Sequence, residues 1–441
     1  MTNTPDATDA AAPADISGGA KPLPVTPEQL TALRRRVHAV LVASQILGGL
    51  GIAIGVALAA VLAKEVSGTE ALAGLASTAT VAGPALLAMP LASLMNARGR
   101  RAGLTLAYLV GAVGAGVVVL GATLGSFPLL LAGMVGFGGA SSANLQARFA
   151  AADLAEPQRR ARAISTVVWA TTIGAVLGPN IAAPAGKSVA GFGIPAEAGP
   201  FLWAAVVFLL GALMVTVLLR PDPLLTARAL AGATDGAEAE EERSLKAGMK
   251  AVRESSRARL ALVTVAATHA TMVSVMSMTP VALGHHGAGI ELIGLVISGH
   301  IAGMYAFSPV MGWLADRVGR LSVIGLAAGL LVGAALLAGT AGPSHAQTAA
   351  GLFLLGLGWS AGLVSGSALL TDAVPQAARA AVQGLSDTIM NTAAGLGGLM
   401  AGLIVAKAGY GWLNLVGACL LLPMAALALR DASRRTAPEK V

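Results

Sequence analysis

The chain is short of charge, of cysteine and of histidine. Charged residues make up 12% of its 441 positions, about half the ~25% usual in soluble domains. With 55% hydrophobic residues and a mean hydropathy of +0.75, too few polar side chains remain to coat a water-facing surface. That excludes disordered, fibrous and nucleic-acid-binding chains, and most soluble globular classes. The single cysteine, Cys419, lies within an apolar run, so there is no disulfide framework. The first 36 residues lack an apolar h-region and do not read as a cleaved signal peptide. What is present is a series of long, nearly unbroken apolar runs. Barrel strands would alternate over about ten residues, so these runs read as membrane-spanning helices.

Twelve such segments fall at 37–63, 70–95, 102–125, 127–151, 161–186, 199–219, 259–284, 290–315, 320–340, 346–371, 379–406 and 409–429. The net charge of +7 and the pI of about 10.0 acquire meaning once the bases are sorted by side. Of 29 Lys and Arg, 26 fall on the side of the N-terminal tail, in the loops around Arg98–Arg101, Arg148–Arg162, Arg317–Arg320 and Arg379, in the central polar segment, or in the C-terminal tail. Lys64, Lys187 and Lys407 fall opposite. The positive-inside rule then places both termini in the cytoplasm and requires an even number of helices. The excess charge is thus cytoplasmic anchoring at membrane lipid in the cell's inner membrane, not a sign of a nucleic-acid partner. The expected organisation is a disordered tail over 1–36, a six-helix half over 37–219, a linker over 220–258, a second six-helix half over 259–430 and a tail over 431–441. The linker is marked by Pro221, Pro223 and acidic residues between Glu238 and Glu242.

The halves echo each other. Asn96-Ala97-Arg98-Gly99-Arg100-Arg101 follows the second span, and Asp316-Arg317-Val318-Gly319-Arg320 follows the eighth, with their glycines 220 positions apart. Pro157 and Pro375 follow the fourth and tenth spans at a separation of 218. Two matches at nearly one offset indicate a duplication. Gly312-Trp313-Leu314-Ala315-Asp316-Arg317-Val318-Gly319-Arg320 resembles the signature loop of the major facilitator superfamily, with a degraded first copy in which Ala92, Asn96 and Ala97 replace Gly, Asp and Arg. The resemblance implies an all-α fold of twelve helices in two halves, a transporter rather than an enzyme, and a conformational gate at Asp316, Arg317, Gly319, Arg320, Gly99 and Arg100. A carboxylate at Asp316 would meet helix N-termini and neighbouring arginines; the simpler alternative is a tight charged turn. Gly174 to Pro184 is similar to the antiporter motif of drug exporters, with Ala182 and Ala183 in place of its last glycines, and also reads as a packing face.

Two of the six histidines, His269 and His300, lie deep within spans. His269, Met272 and Met276 share one helical face, as do His300 and Met304. If the seventh and eighth helices pack as antiparallel neighbours, Met276 meets His300, and Met272 meets Met304, within roughly 3 Å of the same depth. Thioether and imidazole are neutral ligands suited to Cu(I); packing is the simpler use of methionine. Met272-x-x-x-Met276 with His300-x-x-x-Met304 resembles the paired motifs of the CcoA-like copper importers. That resemblance implies copper as the transported ion, Met272, Met276, His300 and Met304 as its ligands with His269 auxiliary, no permanently bound cofactor, and an indirect link to haem–copper oxidase assembly. Gln45, Asn144, Gln146, Asn391 and Asp387 are expected to line the cavity, with Asp387 either a proton relay or bonded to Ser386 and Thr388. Asp153 and Asp372 are read as gate partners of nearby arginines, and His285 and His286 as an outer loop. The rivals are a proton-coupled exporter of drugs or metabolites, an importer of an organic solute such as riboflavin, and a membrane copper sensor that moves nothing.

Overall fold

The computed structural model describes residues 26–232 and 244–436. The tail over 1–25, the acidic part of the linker and residues 437–441 lie outside the described residues.

The first half comprises α1 (Pro27–Ser67), α2 (Glu70–Arg98), α3 (Arg100–Thr123), α4 (Phe127–Gly139), α5 (Ser141–Asp153), α6 (Arg160–Ser188) and α7 (Gly199–Leu218). Two short helices follow, α8 (Pro223–Leu230) and α9 (Leu245–Glu254). The second half comprises α10 (Ser256–His285), α11 (Ile290–Tyr305), α12 (Ser308–Val318), α13 (Arg320–Gly339), α14 (His345–Ala373), α15 (Arg379–Ala408), α16 (Tyr410–Cys419) and α17 (Leu422–Thr436). There is no strand among the described residues. Eleven stretches are long and apolar enough to cross a bilayer. The segment expected at 127–151 is α4 and α5 in tandem, two 13-residue helices joined at Ala140.

The first helix starts ten residues before position 37, so 27–36 continue the helix where a tail was expected. The cause is local. The Thr26 hydroxyl accepts the Gln29 amide at 3.2 Å, and the Gln29 side chain accepts the Thr26 amide at 2.9 Å. This reciprocal cap precedes a proline at the first helical position, where its missing N–H costs nothing. The glycine-rich segment similar to the antiporter motif packs α6 on α1. A Cβ on Gly174 would stand 2.3 Å from the Leu50 amide nitrogen, and one on Gly178 would stand 2.4 Å from the Ala53 Cβ. Small residues at such positions let backbones close to a distance that larger side chains forbid.

Each half has its own apolar core. The second core also takes in Phe149, Ala152, Ala161, Ile164 and Val168 from α5 and α6 of the first half. The halves therefore join near the end of the bundle that carries the basic loops. There α2 packs on α15 and α6 packs on α12. Ala92 on α2 meets Gly384, where an added Cβ would lie 2.2 Å from the alanine's. Ser165 on α6 meets Gly312, where an added Cβ would lie 2.0 Å from the serine Oγ.

Candidate functional site

The two loops that echo each other in sequence turn through a glycine. Gly99 has φ +86° and Gly319 has φ +95°, a region L side chains rarely enter. Each glycine ends one helix and starts the next, so an arginine opens the following helix in both copies.

In the second copy, Asp316 at the end of α12 reaches the start of α6 in the opposite half. Its carboxylate accepts the Ala161 amide at 3.2 Å and the Arg162 amide at 2.9 Å. These are first-turn N–H groups, where negative charge is favoured. Arg320 pairs with Asp316 at 2.9 Å and with Asp372 at 3.2 Å, and donates to the Pro157 carbonyl at 2.6 Å. Arg160 joins Asp372 at 2.5 Å. A closed latch therefore ties the halves at the basic end. Arg317 is exposed beside it, its guanidinium 5.2 Å from the Trp313 ring centroid.

The first copy is built differently. Asp222, just before α8, accepts the Arg101 amide at 2.7 Å and caps its own helix through the Leu224 and Leu225 amides. Arg228 on α8 donates to the Asn96 carbonyl at 2.7 Å and to its side-chain oxygen at 2.5 Å. The linker helix thus supplies the acid that the degraded loop lacks. Arg100 is fully buried and forks onto Asp153 at 2.8 and 3.2 Å. It also donates to Gln146 at 2.9 Å and to Gln383 of the other half at 2.5 Å.

Deeper in the bundle stands a second bridge between the halves. Arg148 on α5 pairs with Asp387 on α15 at 2.5 Å, and each residue is 1% exposed. Gln146 donates to the other Asp387 oxygen at 2.7 Å, and the Arg148 Nε donates to Ser367 at 3.2 Å. The Phe149 ring centroid lies 4.6 Å from the guanidinium carbon. The expected hydrogen bonds from Asp387 to Ser386 and Thr388 are not formed: Thr388 bonds the Gly384 carbonyl and the Ser386 hydroxyl is buried without a partner. Sequence counting placed Arg148 among the loop bases. It lies inside the expected span 127–151, and a cation inside a span was the signal for it.

Of the residues expected to line the cavity, Gln45, Gln146, Asn391 and Asp387 are buried and Asn144 is partly exposed. Gln45 bonds Thr171 at 2.8 Å, and Asn391 bonds the Asp387 carbonyl at 2.7 Å. Asn144 and Asn391 each sit one turn farther from the basic end than Arg148 and Asp387.

The methionine–histidine residues are arranged otherwise than expected. α10 and α11 meet only marginally; each packs instead along α14. The expected register needs two helices in contact along their length, and these two touch only at a few positions. His269 accepts the Trp359 indole N–H at 2.8 Å, and Tyr305 stands edge-on to Trp359 with centroids 5.5 Å apart. His300 is 1% exposed and its Nδ1 lies 2.8 Å from the Leu352 carbonyl, so that nitrogen is the donor. Its Nε2 is buried without a protein partner. Met272 and Met304 sit buried in the apolar core of the second half, with Met276 partly buried against it.

The Major Facilitator Superfamily model matches residues 41–291 and 260–441. Over 402 residues the chain is 38% identical to YdeG of Bacillus subtilis, described as an uncharacterised MFS-type transporter, covering 90% of this chain and 92% of the relative. It is 29% identical to the riboflavin transporter RfnT of Brucella anthropi over 93% of this chain and 98% of the relative. The structure of the proton:xylose symporter XylE superposes with a TM-score of 0.72 at 15% identity, covering 90% of this chain and 95% of that one; at that identity the likeness is one of fold. YdeG and RfnT are not named for copper. With the family model matching both halves, the chain belongs to the Major Facilitator Superfamily.

Proposed function

We propose that this multi-pass transporter imports a small heteroaromatic solute, and that riboflavin is the compound to test first. The observation that carries this is the cluster of His269, Trp359 and Tyr305. Phe, Trp and Tyr are 4% of the sequence, yet Trp359 of α14 and Tyr305 of α11 meet at one depth, with the His269 ring of α10 beside Trp359. His269 stands 13 residues from the start of α10 and Trp359 14 from the end of α14, roughly 20 Å from the basic end at the helical rise. His269 and Tyr305 are partly exposed. Flat ring edges and faces at mid-depth suit a flat heteroaromatic partner, which stacks or meets them edge-on. Similarity to a riboflavin transporter along nearly the whole chain supports the same class. With the halves tied at the basic end, loading would be from the opposite, outer side, and rocking of the halves would deliver the solute inward.

The test is uptake of radiolabelled riboflavin by proteoliposomes. Accumulation above empty liposomes is expected, with Trp359→Ala lowering it at least tenfold and Tyr305→Phe sparing it. No uptake above empty liposomes would sink the proposal. Copper is the second reading, supported by the unpartnered Nε2 of His300 with Met304 one turn away. Copper uptake lost in His300→Ala but kept in Trp359→Ala would favour that reading.

A further inference from the structure

We infer that the pocket between α1 and the turn joining α5 to α6 binds the headgroup of an anionic phospholipid, in the leaflet at the basic end of the bundle. The pocket, about 340 Å³, is lined by Arg34, Arg35 and His38 of α1, Glu156 and Arg159 of the turn, and Arg162 of α6. Its one carboxylate is already engaged. The Arg34 Nη1 donates to one Glu156 oxygen at 2.9 Å, and Arg159 lies 3.8 Å from the other. Arg34 keeps its Nε buried with no protein partner. Arg35 and Arg162 are exposed and have no ion-pair partner among the described residues. The Arg162 amide is held by Asp316, while its side chain lines the pocket. Four arginines against one glutamate leave an excess of three positive charges in a single recess, which draws an anion. Guanidinium forks match phosphate oxygens in geometry as well as in charge.

The position of the pocket selects a lipid over a phosphate in solution. Arg162, Thr166, Trp169, Ile173 and Val176 recur at helical spacing on one face of α6. Past Thr166 this face is apolar and stays open: Trp169 is 36% and Val176 59% exposed. Gly174 and Gly178, which pack α6 on α1, lie off it. An exposed apolar face on a membrane-spanning helix meets lipid chains. Trp169 stands seven residues from Arg162, roughly 10 Å at the helical rise, and indole rings favour the level where headgroups give way to chains. A lipid whose phosphate meets the arginines would lay its chains along Trp169, Ile173 and Val176. Its headgroup carries no cation of its own. An ammonium group would find the only acid of the pocket engaged and would face like charges. Phosphatidylglycerol and cardiolipin fit this site, and phosphatidylcholine does not.

The test is lipid binding by the full chain, delipidated in detergent and titrated with phosphatidylglycerol or phosphatidylcholine, with bound lipid counted by native mass spectrometry. Preference for phosphatidylglycerol is expected, undiminished by millimolar inorganic phosphate. Each arginine near a membrane surface adds about fivefold for an anionic headgroup, so Arg34→Gln with Arg162→Gln should weaken binding roughly tenfold or more. Arg36→Gln with Arg98→Gln removes the same charge from exposed positions at the same end but outside the pocket, and binding should stay near wild type. Equal binding of the two lipids overturns the proposal, as does an equal loss in the two double variants. Displacement of phosphatidylglycerol by inorganic phosphate also overturns it, because the pocket would then take a soluble anion. If Arg34→Gln with Arg162→Gln does not fold, Glu156→Gln decides. It frees two arginines and should strengthen binding severalfold; unchanged or weaker binding overturns the proposal. Riboflavin uptake plays no part in this measurement, so the two readings fail separately.

Discussion

Asp316 ends one helix and caps the first turn of another in the opposite half. Its charge matters twice, once for the α6 amides and once for Arg320. Asp316→Asn keeps an oxygen for one amide but loses the charge. The closed arrangement should weaken by about 1 kcal/mol, or roughly fivefold in population. Alkylation of Ser165→Cys, buried between α6 and α12, reads this directly: the rate should rise about fivefold in the Asp316→Asn background. An unchanged rate would remove Asp316 from the latch. Its contacts with the α6 amides and Arg320 were legible in sequence because the motif's acid and glycine stand at fixed offsets. The role of Arg148 was not. Its ion pair joins positions 239 residues apart, and a one-dimensional count of bases credits it to the nearest loop. Read together, a cation inside the span 127–151 and an anion inside the span 379–406 would have paired them.

Helices approach where side chains vanish. Gly312 and Gly384 admit the opposite half so closely that an added Cβ would collide with Ser165 and the Ala161 carbonyl, or with Ala92. Backbone atoms cannot step aside as a flexible side chain can. Gly312→Val should therefore wedge the basic end open and cut solute transport more than tenfold, whereas Gly329→Val, with nothing within 4 Å of its added Cβ, should leave transport near wild type. Equal activity of the two variants would show that α6 and α12 need not touch. The same rule explains the misplaced metal register. α11 packs on α14 through Gly303 and Gly356, whose added Cβ atoms would stand 2.7 Å from the Phe353 carbonyl and 2.4 Å from the His300 carbonyl. A short connection between α10 and α11 read as side-by-side packing, but the glycines, not the connection, choose the neighbour. The break at Ala140 left no proline mark in the sequence either; the apolar run reads straight through it.

Across the whole molecule, the features that were legible are sums. Apolar runs counted along the chain marked the membrane-spanning helices without any contact being known, and eleven stretches of the described residues are long and apolar enough to cross a bilayer. A sum is insensitive to individual errors: Arg100 and Arg148 were counted as loop anchors, and both are buried inside the bundle, yet the imbalance of charge survives their removal. Contacts between halves depend on pairs distant in sequence and were legible only where a repeated motif flagged them.

The docking of α8 on the first repeat loop has a consequence for how the chain can be divided. Asp222 and Arg228 follow the last long helix of the first half in the chain, but they complete that half's own loop. By these bonds the contacts of the first half run on through α8, past the end of α7. Two separately expressed fragments should thus reassemble well when the cut falls within 233–243 and poorly when it falls after Arg220. Capture of the first fragment through a tag on the second measures this: at least severalfold less recovery is expected for the earlier cut, and equal recovery would mean that the first repeat holds its shape without the borrowed acid and arginine.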